Sequence, residues 1–218
     1  MRKSKAVVNP KANCEGLLIN IPSNVENLAL PDPTLLQYYI DQQNRIVWLE
    51  GEVDGSCIEI AKQIIKWNAE DKDTEVKKRK PIKLFVFSPG GDLDVHNALV
   101  DVIKLSKTPV YGINIGLAAS AACFVFMSCH KRYALKNSYF LLHQGSAENI
   151  NGTFAQVVAA VEDYQTKIEQ LFKYILENSK IPKDELEERI YGEWYMSAEE
   201  AVKYGVCDEI VTDINTIL

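Results

Sequence analysis

Apolar residues along this chain gather into short unbroken runs, and amphipathic stretches separate the runs. RIVWLEG (Arg45–Gly51), IKLFVFS (Ile82–Ser88), VYGINIG (Val110–Gly116) and YFLLH (Tyr139–His143) have the length and the β-branched or aromatic content of buried strands. Between them, Ser56–Trp67, Asp92–Lys104 and Ser120–Cys129 place apolar residues at helical spacing. VCDEIV (Val206–Val211) reads as a closing strand. Fully apolar strands alternating with helices predict a mostly parallel sheet covered on both faces, an α/β domain. Ahead of it, Pro10, Pro22, Pro31 and Pro33 interrupt any long element. Residues 1–41 are therefore expected to form an irregular arm ending in a short helix over Pro33–Asp41, and residues 42–218 a single domain.

The longest predicted helix, Thr153–Asn178, carries Val157, Val161, Tyr164, Ile168, Leu171 and Ile175 at alternating steps of four and three. A seam of that period either lies along the helix's own sheet or projects to meet a second subunit, and the pattern alone leaves both readings open. Farther on, SAEEAVKYGV predicts a short helix bounded by a capping box, with Ser197 as N-cap, Glu200 in the first turn and Gly205 as the stop.

Composition removes several classes of function. With 218 residues, 47% of them hydrophobic, the chain can bury a sizeable core. A net charge of −6 supplies no basic field for nucleic acid or anionic lipid. The run KKRK (Lys77–Lys80) follows the acidic AEDKDTE and reads as a solvated loop. Every apolar stretch falls short of the roughly 18 residues of a membrane span, and MRKSKAVVNPKANCEGLL lacks the continuous apolar segment of a signal peptide. Cys14, Cys57, Cys123, Cys129 and Cys207 are scattered without CxxC spacing, as expected of thiols in a reducing compartment. A cytoplasmic protein without metal or cofactor is expected.

Three stretches could carry chemistry. SPGGD (Ser88–Asp92) follows a strand and opens a helix, and its glycines allow the tight turn whose backbone N–H groups can face an oxyanion. In DLDVH (Asp92–His96), Asp92 and Asp94 occupy the N-cap and first turn, so helix capping is favoured over a metal cluster with His96. GLAASAAC (Gly116–Cys123) sets Ser120 among small side chains at a strand-to-helix junction. A serine hydroxyl needs a base, and the base needs an orienting carboxylate. His130, in HKR at a helix end, suits the helix dipole as a cation. His143 instead ends a buried strand, where parallel sheets open their ligand crevices. Glu193 and Asp208 are the candidate acids in the region that follows.

SPGG, GLAASAAC, LLHQ, a long helix and YMSAEEAVKYGVCDEIV, in that order, resemble the ClpP family, the proteolytic subunits of the Clp protease, from about Arg45 to Val211. The resemblance implies a crotonase-like spiral of ββα units with a long projecting handle helix. It implies a serine endopeptidase in which Ser120 is the nucleophile, His143 the general base, and the backbone N–H groups of Gly91 and Ala121 the oxyanion hole. It further implies heptameric rings stacked through the handle, unfolded polypeptides as substrate and an AAA+ ATPase as partner. At the family's triad aspartate this chain has Glu193, flanked by Gly192 and Trp194 in place of a charged pair, and HQG replaces HQP after the strand. A divergent member is therefore expected, the alternative being a catalytically silent assembly subunit.

Overall fold

The structure, a computed structural model, describes residues 32–147 and 150–217. The chain divides into two compact units between Gln37 and Tyr38. Only residues 32–37 of the first are described, so most of the expected arm lies outside the described residues. Helix α1 spans Pro33–Asn44, three residues beyond the predicted end. Within the second unit follow β1 (Ile46–Val53), α2 (Ile58–Glu70), β2 (Ile82–Gly91), α3 (Leu93–Leu105), β3 (Val110–Ala119), α4 (Ala121–Met127), β4 (Lys131–Ala134), β5 (Tyr139–Leu142), α5 (Phe154–Asn178), α6 (Lys183–Arg189), β6 (Trp194–Ser197), α7 (Ala198–Lys203) and β7 (Glu209–Ile210).

Among the described residues seven strands form one sheet, five of them on a wholly parallel path ordered β1-β2-β3-β4-β7 and two, β5 and β6, branching from it. β3 is the branch point. It pairs with β4 over Tyr111–Asn114 and with β5 over Leu117–Ala119. Changing partners strands backbone groups between the two ladders, and the buried side chain of Asn114 satisfies them. Its Nδ2 donates to Tyr139 O at 2.9 Å, and its Oδ1 accepts from Gly116 N–H at 3.0 Å. A polar residue inside VYGINIG is the sequence trace of that junction. β5 then takes β6 as an antiparallel partner, with Leu141 opposite Tyr195 and Leu142 opposite Trp194.

Helices α2, α3, α4 and the end of α5 bury one face of the sheet around Leu84, Val86, Leu99, Ile103, Phe124 and Ile175. The expected cover of both faces is thinner on the other side. There Phe85, Ile113 and Tyr133 are covered by Ile217, while Trp48 and Phe87 stay exposed. β4 and β6 were not apparent as strands in the sequence, because four residues carry little periodicity. The predicted strand Val206–Val211 shrinks to Glu209–Ile210.

The long helix lies on its own domain only over its last turns. Its last turns are held in the core through buried Leu171 and Ile175, and Tyr174 O–H donates to Phe124 O at 3.0 Å, tying α5 to α4. Its first half stands away, leaving Phe154 87% and Val161 49% exposed. The predicted capping box of Ser197 with Glu200 opens α7, and a second one, Thr153 with Gln156, opens α5. The capping box at Thr153 was not read from the sequence. Cys57, Cys123, Cys129 and Cys207 are buried free thiols, and burial pushes Cys129 up to about 12 and Cys207 up to about 11. No helix among the described residues is long and apolar enough to cross a membrane.

Candidate active site

The site is built where β2, β3 and β5 end. β3 continues past the predicted Gly116 to Ala119, held in register by Ala119 opposite Leu141, and Ser120 N–H donates to Leu141 O at 2.9 Å. One residue later α4 begins, with Cys123 N–H donating to Ser120 O at 2.9 Å. Ser120 therefore makes the whole turn itself, at φ 53° and ψ −127°, in a region that side chains other than glycine rarely adopt. Strain of this kind costs on the order of 1–3 kcal/mol and persists only where the surroundings impose it. A strand-to-helix elbow of this shape lifts the hydroxyl out of the backbone's shadow.

The reason for the small neighbours is then visible. A Cβ on Gly90 would lie 2.6 Å from Ala119 O and 2.7 Å from Ser120 Cβ, so the β2 chain touches the serine turn directly. Gly91 is pressed equally closely on β1, where a Cβ would lie 2.4 Å from Val53 O. The SPGG segment is thus the end of β2 rather than a free turn, with Gly90 N–H donating to the buried Ser88 Oγ at 3.2 Å. Asp92 caps α3, its Oδ1 accepting from the N–H groups of Asp94 and Val95 at 2.7 and 2.9 Å. Asp94 pairs with Lys167 of α5 at 3.0 Å. These two carboxylates serve the helix and its neighbour, as the capping reading expected.

His143 follows β5 immediately, and its Nε2 lies 2.7 Å from Ser120 Oγ. That is hydrogen-bond distance for a hydroxyl donating to an unprotonated ring nitrogen. The other two histidines are engaged elsewhere. His96 is buried against Phe124, and its Nδ1–H donates to Leu93 O at 2.7 Å; burial draws its pKa below the ordinary histidine value. His130 Nδ1 accepts from Val110 N–H at 3.1 Å, tying it to the start of β3.

Of the two candidate acids, Asp208 is bound away from the site: it accepts from Arg132 at Nη2 (2.5 Å), Nε (3.2 Å) and the backbone N–H (2.8 Å). Glu193 is the residue immediately before β6. The ladder pairing ends at Leu142–Trp194, with His143 and Glu193 the next residue beyond it on each chain segment, and Gln144 N–H donates to Ile190 O at 3.1 Å. The Glu193 carboxylate accepts from Tyr195 O–H at 3.0 Å and makes no hydrogen bond to His143. The structure thus brings Ser120, His143, Gly90 and Ala121 together, with Gly91 next along β2 and Glu193 in the loop before β6. Asn114 and Tyr195 are the supporting residues the sequence did not disclose. Among the described residues no cluster of three or more His, Cys, Asp or Glu side chains is placed to hold a metal.

The sequence model of the Clp protease family matches residues 37–213, and the chain belongs to that family. An ATP-dependent Clp protease proteolytic subunit 2 from Treponema denticola is 28% identical over 188 residues, which is 85% of this chain and 90% of the relative. Its namesake from Treponema pallidum is 28% identical over 172 residues, 78% of this chain and 83% of the relative. A mutant of ClpP1 from Listeria monocytogenes shares the fold, with a TM-score of 0.69 at 22% identity over 84% of this chain and 99% of that one.

Proposed function

We propose that this chain is a serine endopeptidase that cleaves unfolded polypeptides through an acyl-enzyme. The observation that carries the reading is the 2.7 Å approach of His143 Nε2 to the hydroxyl of Ser120 on its strained turn. In this reading Ser120 Oγ attacks the scissile carbonyl carbon while its proton passes to His143 Nε2. The carbonyl oxygen becomes an oxyanion, and the new imidazolium then returns the proton to the departing amine. Water then attacks the acyl carbonyl while its proton passes to His143 Nε2, and collapse of the second oxyanion breaks the bond to Ser120 Oγ, which takes the proton back as the acid product leaves.

Two backbone amides are assigned to the oxyanion, Gly91 and Ala121. Asp92 N–H is turned to Val53 O at 2.8 Å, so alternation along extended chain turns the Gly91 amide to the opposite edge, where Ser120 lies. Ala121 N sits 3.0 Å from the Cβ position of Gly90, at the same junction. Each such donor contributes about 100-fold to 1000-fold in rate when it is aimed at the developing charge. Glu193 is assigned the orienting carboxylate. The exposed first half of α5 fits the handle by which subunits of such peptidases stack, so a ring assembly fed by an AAA+ ATPase is part of the proposal.

A catalytically silent assembly subunit is the second reading, favoured by one observation: Glu193 is bonded to Tyr195 and not to His143. A fluorophosphonate probe separates the two. Labelling of the wild type that disappears in Ser120→Ala, together with turnover of an unstructured peptide, supports the peptidase. A correctly folded wild type that neither labels nor cleaves overturns it.

A further inference from the structure

We infer that Tyr195 is a positioning residue: its phenol holds the long side chain of Glu193 on the sheet face that carries His143. The inference rests on the peptidase reading above and concerns how that site manages with glutamate as its acid.

The geometry begins with the ladder. Tyr195 pairs with Leu141, and Trp194 with Leu142, in antiparallel register. Directly opposed residues point to the same face of a sheet, and so do residues two apart along one strand. Leu141 and Tyr195 therefore share one face, and continuing the alternation one residue past each strand end carries His143 and Glu193 to it, while Trp194 turns to the other and is buried against Tyr204 at 5.2 Å. The hydrogen bond from Tyr195 O–H to Glu193 Oε2 at 3.0 Å confirms that these two side chains lie together.

Glutamate in this place has a cost that a shorter acid lacks. It has one more rotatable bond, and at an exposed loop position the carboxylate samples several rotamers, most of them away from the imidazole. A partner two residues along the same face removes that freedom with one bond. A carboxylate offers about four acceptor sites on two oxygens. Tyr195 uses one on Oε2, which leaves Oε1 open to accept from His143 Nδ1–H. The attraction is felt in both directions, since the adjacent carboxylate raises the Tyr195 hydroxyl above the ordinary phenol value.

The neighbouring loop supplies no substitute. Gly192 carries no side chain, Tyr191 is 75% exposed, and Arg189 lies over the Trp194 ring at 4.7 Å on the buried face. Within this stretch Tyr195 is the residue bonded to Glu193.

The test is a double-mutant cycle on the full chain, reading peptide turnover. Tyr195→Phe keeps the ring and removes only the hydroxyl; kcat is expected to fall about threefold to tenfold with KM unchanged, since the lost contact orients the acid and does not touch substrate. In Glu193→Asp the carboxylate is one methylene short of the phenol, so adding Tyr195→Phe to it is expected to change kcat less than twofold. Melting temperatures of all four proteins confirm that the fold is unchanged. An equal fall from Tyr195→Phe in both backgrounds, an unchanged or increased kcat in the single variant, or a fall expressed in KM overturns the inference while leaving the peptidase reading intact. A wild type that cleaves nothing and takes up no fluorophosphonate removes both.

Discussion

Gly90 and Ser120 are in contact through their backbones: a Cβ on the glycine would stand 2.7 Å from the Cβ of the serine. Two strands thus meet at the residue that makes the elbow, and the serine's left-handed φ of 53° is enforced from both sides. The position of its side chain is thus fixed largely by main-chain packing.

Gly90→Ala therefore collides with backbone atoms that have no rotamer to yield. Overpacking of this kind costs about 1–3 kcal/mol, and displacing the hydroxyl by about an ångström costs on the order of 100-fold in kcat/KM. Gly51→Ala is the control. Gly51 has φ +72° with nothing within 4 Å of the added methyl, so only backbone strain is expected there, about 1–2 kcal/mol, with kcat retained. Urea unfolding and peptide turnover of the two variants check the contrast.

Ser120→Ala and His143→Ala are each expected to lower kcat by roughly 1000-fold or more, and the double variant by no more than the worse single one. Groups that act as a unit fail together. Additive losses in the double variant, measured in single-turnover assays, would show that the 2.7 Å contact is not used.

Asn114→Leu leaves Gly116 N–H and Tyr139 O without partners at the strand junction. Each orphaned buried group costs about 1–3 kcal/mol, so a clear fall in melting temperature is expected. Because β5 delivers His143, activity should decline with it, and Asn114→Asp should retain at least the bond from Gly116 N–H. Calorimetry across the series tests this.

Acid destabilises this fold through His96. Burial depresses its folded pKa, against the opposing pull of its bond to Leu93 O and of Asp92, Asp94 and Asp101. The unfolded chain takes up the proton near the ordinary value of about 6.5 while the folded chain does not, so stability is full above that pH and falls as pH drops through the window below it. The slope cannot exceed about 1.4 kcal/mol per pH unit from one site. His96→Gln should flatten the urea midpoint between pH 6.5 and 5.5. An unchanged slope would assign the acid sensitivity elsewhere, with Asp71 the next candidate: its bond to Arg45 holds its carboxyl below the usual range, so its contribution disappears only at lower pH.

How much was legible varied with the range of the interaction that decided it. The parallel α/β plan, the helices at Ile58, Leu93 and Phe154, and the caps at Asp92 and Ser197 were readable because periodicity and capping are local. Ser120 and His143 were readable as a pair because a lone hydroxyl among alanines and a strand-end histidine are each unusual, and order along the chain joined them. β4 and β6 were not readable, since four-residue strands exist only through their partners.

The sequence by itself determined which residues could react and which stretches would be strand or helix, because side-chain chemistry and hydrophobic period belong to the residues themselves. Tertiary structure alone decided that Asp208 goes to Arg132 while Glu193 bonds to Tyr195, that Asn114 lets one strand serve two partners, and that Gly90 lies on the serine. All but the Glu193 bond depend on contacts between segments tens of residues apart, whose distances are set when the sheet closes and not by any local preference.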